Sequence, residues 1–377
     1  MKILFAGDAS NMHNSLAHAL RRAGHEAVVA SAGSRWMNTS RDIDLYRRPG
    51  LWGSLRYGWQ LLRALPLMRG FDVVQLCDHI FFDLKPEKLY HILNYLKRHN
   101  GMVVLSALAT DCVYVDACQR TRLYRYSDYT VGDAPSPYVG SAEYVALAED
   151  NWQLPSMRRY SDHVMATIDG AVSALLEYDM AYRPLLGERL AYGGIPVDVS
   201  SLPMRELDAT PQRVKFFLGL QSTRTIIKGT DRLLAALRRV HDRYPQWCEM
   251  EVVEDVPYAE YVERMRHSHV LLDQLYSYTP ATNALLAMAQ GLVAVSGAEP
   301  EYYDCMGERD NHPIVNVSPL VEGDIDAQLE HLVLHRDELP ARARASRAFV
   351  ERHNDAPVVA QRFVEHWNKL IQLRHQP

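Results

Sequence analysis

Cysteine is scarce in this chain. The five residues Cys77, Cys112, Cys118, Cys248 and Cys305 are odd in number, and no two are spaced as CxxC. That excludes a disulfide framework and a zinc-finger pattern, and it suits a reducing compartment. Long apolar runs are missing as well: none approaches the ~18 residues of a membrane span. The opening MKILFAGDASNMHN has only a short apolar run before Asp8, which reads as a buried strand rather than a signal peptide. After that strand there is no GxGxxG, so a dinucleotide fold is disfavoured. Net charge is −5, which argues against a general nucleic-acid binder. Two absences are local. Between Leu275 and Gly297, LYSYTPATNALLAMAQGLVAVSG contains no charged residue, and RRPGLWGSLRYGWQLLRALPLMRG at 47–70 holds five arginines but no acid.

Apolar patterning is plentiful. Hydrophobic residues make up 47% of the 377, enough for two domains of about 150–200 residues each. KILFAG is the continuous apolar run of a strand covered on both faces. A helix follows with Met12, Leu16, Ala19, Leu20 and Ala23 on one stripe, stopped by Gly24. EAVVAS is the next strand, so a βαβ unit begins. DVVQLC at 72–77 reads as the third strand and MVVLSA at 102–107 as the fourth, with a helix opened by Pro86 between them. Residues 108–150 are rich in Tyr, Asp, Ser and Pro and are expected to form long loops with short helices over a cleft. Helical signal returns near 156–168, and LAYGGIPVD closes this half. Residues 199–213, VSSLPMRELDATPQR, lack an apolar period and read as an interdomain linker. The pattern then restarts with VKFFLGL, a helix at 230–241, EMEVVE, a helix at 258–267, HVLLDQL, a helix at 281–290 and LVAVSG. The fold class is α/β: two doubly wound units, with ligand sites beyond the carboxyl ends of their strands. The last helix, about 357–374, carries Val359, Phe363, Trp367 and Leu370 on one face and needs a partner surface.

Chemistry is sought at those carboxyl ends. In GLQSTRTIIKGTD (219–231) a strand turns into a helix, and free backbone N–H groups there favour an anion. Arg224 and Lys228 add two cations, and arginine grips phosphate bidentately. The plainer alternative is a solvated basic loop. In the uncharged stretch, Thr279 is the expected cap of the 281–290 helix and Pro280 fits its first turn. Ser277, Tyr278, Thr279, Thr282 and Asn283 are cleft-facing candidates, although ordinary turn residues look the same. Glu299 and Glu301 follow the next strand and can accept hydroxyl hydrogen bonds. In the first half, Asp8, Asn11 and His13 follow the first strand, Asp78 and His79 the third, and Asp111 the fourth. All are candidate acceptor contacts or proton acceptors. The 47–70 segment, with Trp52 and Trp59, suits an anionic membrane interface. The simpler reading is a helix docked on the first sheet with its arginines in water. DID at 42–44 and at 324–326 has the residue type for Mg²⁺, but neither triplet lies at a clear strand end, and no metal is expected.

Three elements resemble the GT-B glycosyltransferases. ALRRAGHEAVV (19–29) resembles their L…GHEV element, KGTD (228–231) their KG.d.L..A element, and LLAMAQGLVAVSGAEPE (285–301) their EAMA.G.PV…g.pE block. They span both halves in the right order and are most similar to the retaining, family-4-like branch. The resemblance implies two Rossmann-like domains facing a central cleft. The acceptor domain would be 1–198, joined by helix 357–377, and the nucleotide-sugar donor domain 199–356. It implies that Arg224 and Lys228 hold the donor diphosphate, with Asp111 as a further catalytic candidate. Tyr278, Thr279, Thr282, Asn283 and Glu301 would lie on the donor side, and Asp8, Asn11, Asp78 and His79 on the acceptor side. The implied activity is hexosyltransferase-like, without a metal or other cofactor. A UDP- or GDP-sugar would donate to a glycan or lipid-linked acceptor in surface polysaccharide or glycoconjugate synthesis. The implied location is cytoplasmic, with 47–70 as the candidate contact with the inner membrane face. The family's two glutamates, eight residues apart, are Tyr278 and Leu286 here, and Asn283 is the candidate replacement. A nucleotide-sugar epimerase and a non-catalytic nucleotide-sugar binder are the alternatives.

Overall fold

The apolar runs become strands. In chain order these are β1 (Lys2–Ala6), β2 (Glu26–Ser31), β3 (Ile43–Asp44), β4 (Val73–Leu76), β5 (Met102–Ala107), β6 (Thr130–Val131), β7 (Ala134–Pro135), β8 (Gly170–Ser173) and β9 (Leu190–Tyr192). They are followed by β10 (Val214–Leu220), β11 (Cys248–Glu254), β12 (Val270–Leu272), β13 (Val293–Ser296) and β14 (Val315–Asn316). The computed structural model describes the whole chain except Arg35, residues 148–151, Asp208 and residues 375–377. The chain divides into two units. One comprises Met1–Val115, Asn151–Pro196 and Ala356–Pro377; the other Asp116–Asp150 and Val197–Asp355.

The first unit is built on a parallel sheet in the order β3-β2-β1-β4-β5-β8-β9. Helices cover it, as both-face burial of a parallel sheet requires. The final helix Ala356–Arg374 belongs to this unit and buries Val359, Phe363, Trp367 and Leu370. A polar thread runs through the otherwise apolar core. Trp367 Nε1 donates to Gln75 Oε1 at 3.0 Å, and Gln75 Nε2 donates to Ser106 Oγ at 3.0 Å. Ser106 Oγ lies 2.8 Å from His13 Nε2, and His13 Nδ1 lies 2.8 Å from the Gly7 carbonyl. The carbonyl only accepts, so His13 carries its proton on Nδ1 and Ser106 donates to Nε2. His13 is therefore a core residue, and burial lowers its pKa.

The second unit has a parallel sheet in the order β11-β10-β12-β13-β14. Its helix Thr230–Arg243 buries Leu233, Ala236, Leu237 and Val240. No described helix is long and apolar enough to cross a membrane.

Several expectations differ from the structure. DVVQLC is the fourth strand, because the two-residue β3 precedes it. β8, the helix Leu176–Leu186 and β9 were not read from the sequence; strands of three or four residues leave too short a pattern. Residues 199–213 do not form a free linker where described. Arg205 N donates to the Gln290 carbonyl and Arg205 Nη1 to the Ser268 carbonyl. Residues 116–147, assigned from the sequence to the first unit, pack with the second through Arg125, Tyr126 and Glu143.

The thread generates a stability prediction. Trp367→Phe preserves most of the packing but strands the Gln75 carbonyl. Burying an unsatisfied acceptor costs about 1–3 kcal/mol, so the midpoint in urea should fall correspondingly. An unchanged midpoint would show that this hydrogen bond contributes nothing net.

Candidate functional site

In the second unit the strand order reverses between β10 and β12, the place where open α/β sheets bind ligands. β10 ends at Leu220, and the chain turns through Gln221–Arg224 into the short helix Thr225–Lys228. Gly229 then starts the long helix Thr230–Arg243 with φ 68°, and a Cβ at this position would crowd Leu275 and Tyr276. Only glycine meets both conditions without strain.

The expected anion preference of this turn is visible directly. The Glu143 carboxylate accepts from Thr225 Oγ1 at 2.7 Å, from Ile226 N at 2.8 and 3.0 Å, and from Ile227 N at 3.1 Å. Burial works to raise its pKa, but these hydrogen bonds prevail and hold it below the usual carboxylate value. Two cations flank the turn, with Lys228 in electrostatic reach of Asp273. No side-chain hydrogen bond or ion pair among the described residues engages Arg224 or Lys228, and Arg224 Nε is buried without a partner. Burial lowers the pKa of Lys228; Asp273 opposes that effect and Arg224 adds to it.

The uncharged stretch is organised differently from the sequence expectation. Its helix is Thr282–Ala289, with Ala281 at the N-cap position and no side-chain cap. Thr279 is not the cap; it is buried in the preceding turn, where its N–H donates to Ser277 Oγ at 3.1 Å. Asp273, just past β12, supplies the negative charge instead. Its Oδ1 accepts from Asn283 Nδ2 at 3.3 Å, the Ala281 and Ala284 backbone N–H groups lie close enough to act on its titration, and its Oδ2 is buried without a partner. Asp273 is buried, which raises its pKa, while Lys228 and these donors pull it back. Asn283 is thereby committed, since its Oδ1 also accepts from Tyr261 OH at 2.8 Å. Thr282 and Leu286 remain partly exposed.

Tyr278 is buried. Its hydroxyl accepts from Arg125 N at 2.7 Å, and Tyr126 packs on its ring with centroids 4.9 Å apart. Arg125 forms ion pairs with Glu301 and, at 2.6 Å, with Glu299. Tyr126 OH donates to Glu299 Oε1 at 2.6 Å. The Arg125 hydrogen bond lowers the Glu301 pKa despite partial burial. Gly297 admits no side chain, because a Cβ there would collide with the Ser277 carbonyl. Residues 116–147 thus form a strap tied to the Thr225–Ile227 turn, to Tyr278 and to both glutamates. Arg125, Glu143 and Asp273 were not proposed from sequence. For Asp273 a signal existed, an acid directly after a strand in HVLLDQL; for the other two there was none.

The first unit also gathers polar residues at its switch point, between β1 and β4. Asp8 accepts from His13 N at 2.9 Å, Ser34 Oγ at 3.1 Å and Thr39 Oγ1 at 2.8 Å, which binds the loop to the following helix. Asn11, at φ 63°, accepts from Asn14. Beyond β4, His79 is fully buried; its Nε2 lies 3.1 Å from Tyr182 OH and its Nδ1 has no partner. Burial lowers its pKa. Tyr182 OH donates to Asp111, whose other oxygen accepts from Tyr114 N at 2.8 Å. Asp78 has one buried oxygen without a partner, and its pKa is pushed up to about 6, chiefly by burial and further by Asp111. The DID residues are used in local bonds: Asp42 with Arg21 and Asp44 with Arg41, and Asp326 with Arg239.

No family model matches this chain, and no curated protein does. Solved structures do match. HepE of Anabaena, in complex with UDP-glucose, aligns with a TM-score of 0.54 at 10% identity over 98% of this chain and 100% of its own. WaaG, a glycosyltransferase involved in lipopolysaccharide biosynthesis, aligns with a TM-score of 0.53 at 12% identity over 96% and 98%. A Listeria monocytogenes protein assigned as a UDP-N-acetylglucosamine 2-epimerase aligns with a TM-score of 0.54 at 9% identity over 97% and 94%. The architecture is that of the GT-B glycosyltransferases, two Rossmann-like domains in one chain.

Asp78 generates a pH prediction. Its folded pKa of about 6 lies above the unfolded 3.8. Its contribution to stability is therefore complete below pH 3.8 and lost as pH rises through about 6. Replacing it with neutral asparagine should leave stability unchanged at low pH and raise it by up to about 3 kcal/mol at pH 7. Urea melts at both pH values measure this, and a gain independent of pH would exclude titration of Asp78 as its source.

Proposed function

We propose that the chain is a retaining glycosyltransferase of the family-4-like kind that takes its sugar from a UDP- or GDP-sugar. The carrying observation is the turn Gln221–Gly229, an anion cradle flanked by two cations that make no side-chain hydrogen bond or ion pair among the described residues. In this reading the donor diphosphate replaces the Glu143 carboxylate on the Thr225–Ile227 amides. Arg224 and Lys228 then face the phosphate oxygens. When the sugar–phosphate bond breaks, negative charge builds on the leaving diphosphate. Fixed amides and cations stabilise that charge without reorganising. The acceptor hydroxyl attacks the face that the leaving group departs from, so the anomeric configuration is retained. The acceptor is a glycan or a lipid-linked saccharide of surface polysaccharide or glycoconjugate synthesis, and HepE and WaaG support this choice only by likeness of fold. Asp8, Asn11, Asp78 and His79 lie on the acceptor side, with Asp111 as the candidate proton acceptor. Thr282 and Glu301 lie on the donor side. No cofactor or metal enters the reading. The reaction belongs in the cytoplasm, where five free cysteines are at home.

One observation favours a second reading. Tyr278 and Asn283, at or near the positions where the family carries acids, are both engaged within the unit. A protein that binds the nucleotide sugar without turning it over would look the same.

Calorimetry with UDP and with GDP tests the site. Lys228→Ala should weaken binding of the preferred nucleotide at least tenfold, whereas Glu143→Ala should strengthen it severalfold by vacating the cradle. If neither variant changes the affinity, the turn is not the diphosphate site. Binding without sugar transfer to any glycan acceptor would select the second reading, and a new sugar isomer from donor alone would reveal an epimerase.

A further inference from the structure

The helix Leu51–Ala64 has two apolar faces, and its own unit needs only one. Tyr57, Leu61 and Ala64 are buried and lie on one side of the helix, continued by buried Met68. At 100° per residue, Trp52, Leu55, Trp59 and Leu62 fall on the opposite side. All four are exposed: Trp52 at 83%, Leu62 at 69%, Leu55 at 59% and Trp59 at 58%. Leu51 and Leu67 extend the patch and are also exposed. The helix is packed through one face with its arginines exposed, as the simpler sequence reading expects, and its outer face carries the tryptophans and leucines as well.

The charges on this face have one sign. Arg56 and Arg63 are exposed, project from the same side as Trp52 and Trp59, and the Arg63 guanidinium sits 4.5 Å from the Trp59 ring centroid. Arg48 lies just before the helix. Among the described residues none of these three is ion-paired, whereas Arg47 is paired with Asp83. Residues 45–71 contain no acid at all. Tryptophan prefers the level of lipid headgroups, leucine the acyl boundary below, and arginine reaches anionic headgroups around them.

We propose that the outer face of Leu51–Ala64 docks on an anionic phospholipid bilayer, lying in the interface plane without spanning it. A complementary protein face would have to match both the apolar stripe and its cationic border. A bilayer bearing anionic headgroups supplies both layers at once.

The test is flotation of the full chain with vesicles of phosphatidylcholine alone or with 30% phosphatidylglycerol. Two variants accompany it: Trp52→Ser/Trp59→Ser and Arg56→Gln/Arg63→Gln. These side chains are exposed, so unchanged thermal melts are expected and confirm folding. Wild type should float with the anionic vesicles and remain behind with phosphatidylcholine alone. The arginine variant should lose at least tenfold in partitioning, and the tryptophan variant should also lose the blue shift of indole emission that vesicles induce in the wild type. Equal flotation of wild type and the arginine variant would overturn the proposal, as would no flotation of wild type. A lipid-free dimer that becomes monomeric in the tryptophan variant would also overturn it, since the face would then belong to a second copy of the chain.

Discussion

A carboxylate held on backbone amides organises the carboxyl end of β10 in the second unit. Taking Glu143 out of water is unfavourable, and four hydrogen bonds from Thr225, Ile226 and Ile227 offset it. Asp273 stands at the start of the helix Thr282–Ala289, held by Asn283 and with its other oxygen buried and unpartnered. Each of these two turns thus has a carboxyl group beside its backbone N–H groups. The two differ in origin. Asp273 belongs to the sheet that carries its helix, so it is part of the permanent frame. Glu143 arrives from a strap whose other attachments are Arg125 and Tyr126 on Glu299, Glu301 and Tyr278. On the proposed reading, the donor diphosphate exchanges with the Glu143 side chain.

The first unit solves the same problem with neutral groups. Trp367, Gln75, Ser106 and His13 pass hydrogen bonds in one direction to the Gly7 carbonyl, and the thread links β4, β5 and the last helix to the turn after β1. Each member has the partner that burial demands. At the nearby strand ends the accounting is incomplete. His79 Nδ1 and one Asp78 oxygen are buried without partners.

The sequence revealed much of the frame and little of the detail. Continuous apolar runs located β1, β2, β5, β10 and β13, because strands buried on both faces cannot hide their composition. That Arg224 and Lys228 sit at a strand-to-helix turn was legible because the apolar run of β10 ends just before them. Glu143 was not, since an acid in a tyrosine-rich loop looks solvated until its partner, more than eighty residues later, is known. The cap at Thr279 was misread for a related reason: local rules name the nearest hydroxyl, while the fold brought an aspartate from the preceding strand end. The basic, tryptophan-bearing composition of 47–70 was legible, but burial alone decides which side of Leu51–Ala64 points inward.

The division of the chain into units does not follow the order of synthesis. Residues 1–115 and 151–196 emerge first, yet their core lacks Ala356, Val359, Phe363 and Trp367 until the last helix is made. Val197–Asp355, by contrast, is contiguous, and its strap has already left the ribosome when it appears. The second unit can therefore close before the first, inverting the usual N-to-C sequence of domain completion. Until Ala356–Arg374 is translated, the nascent chain carries a parallel sheet whose core lacks the apolar side chains of that helix.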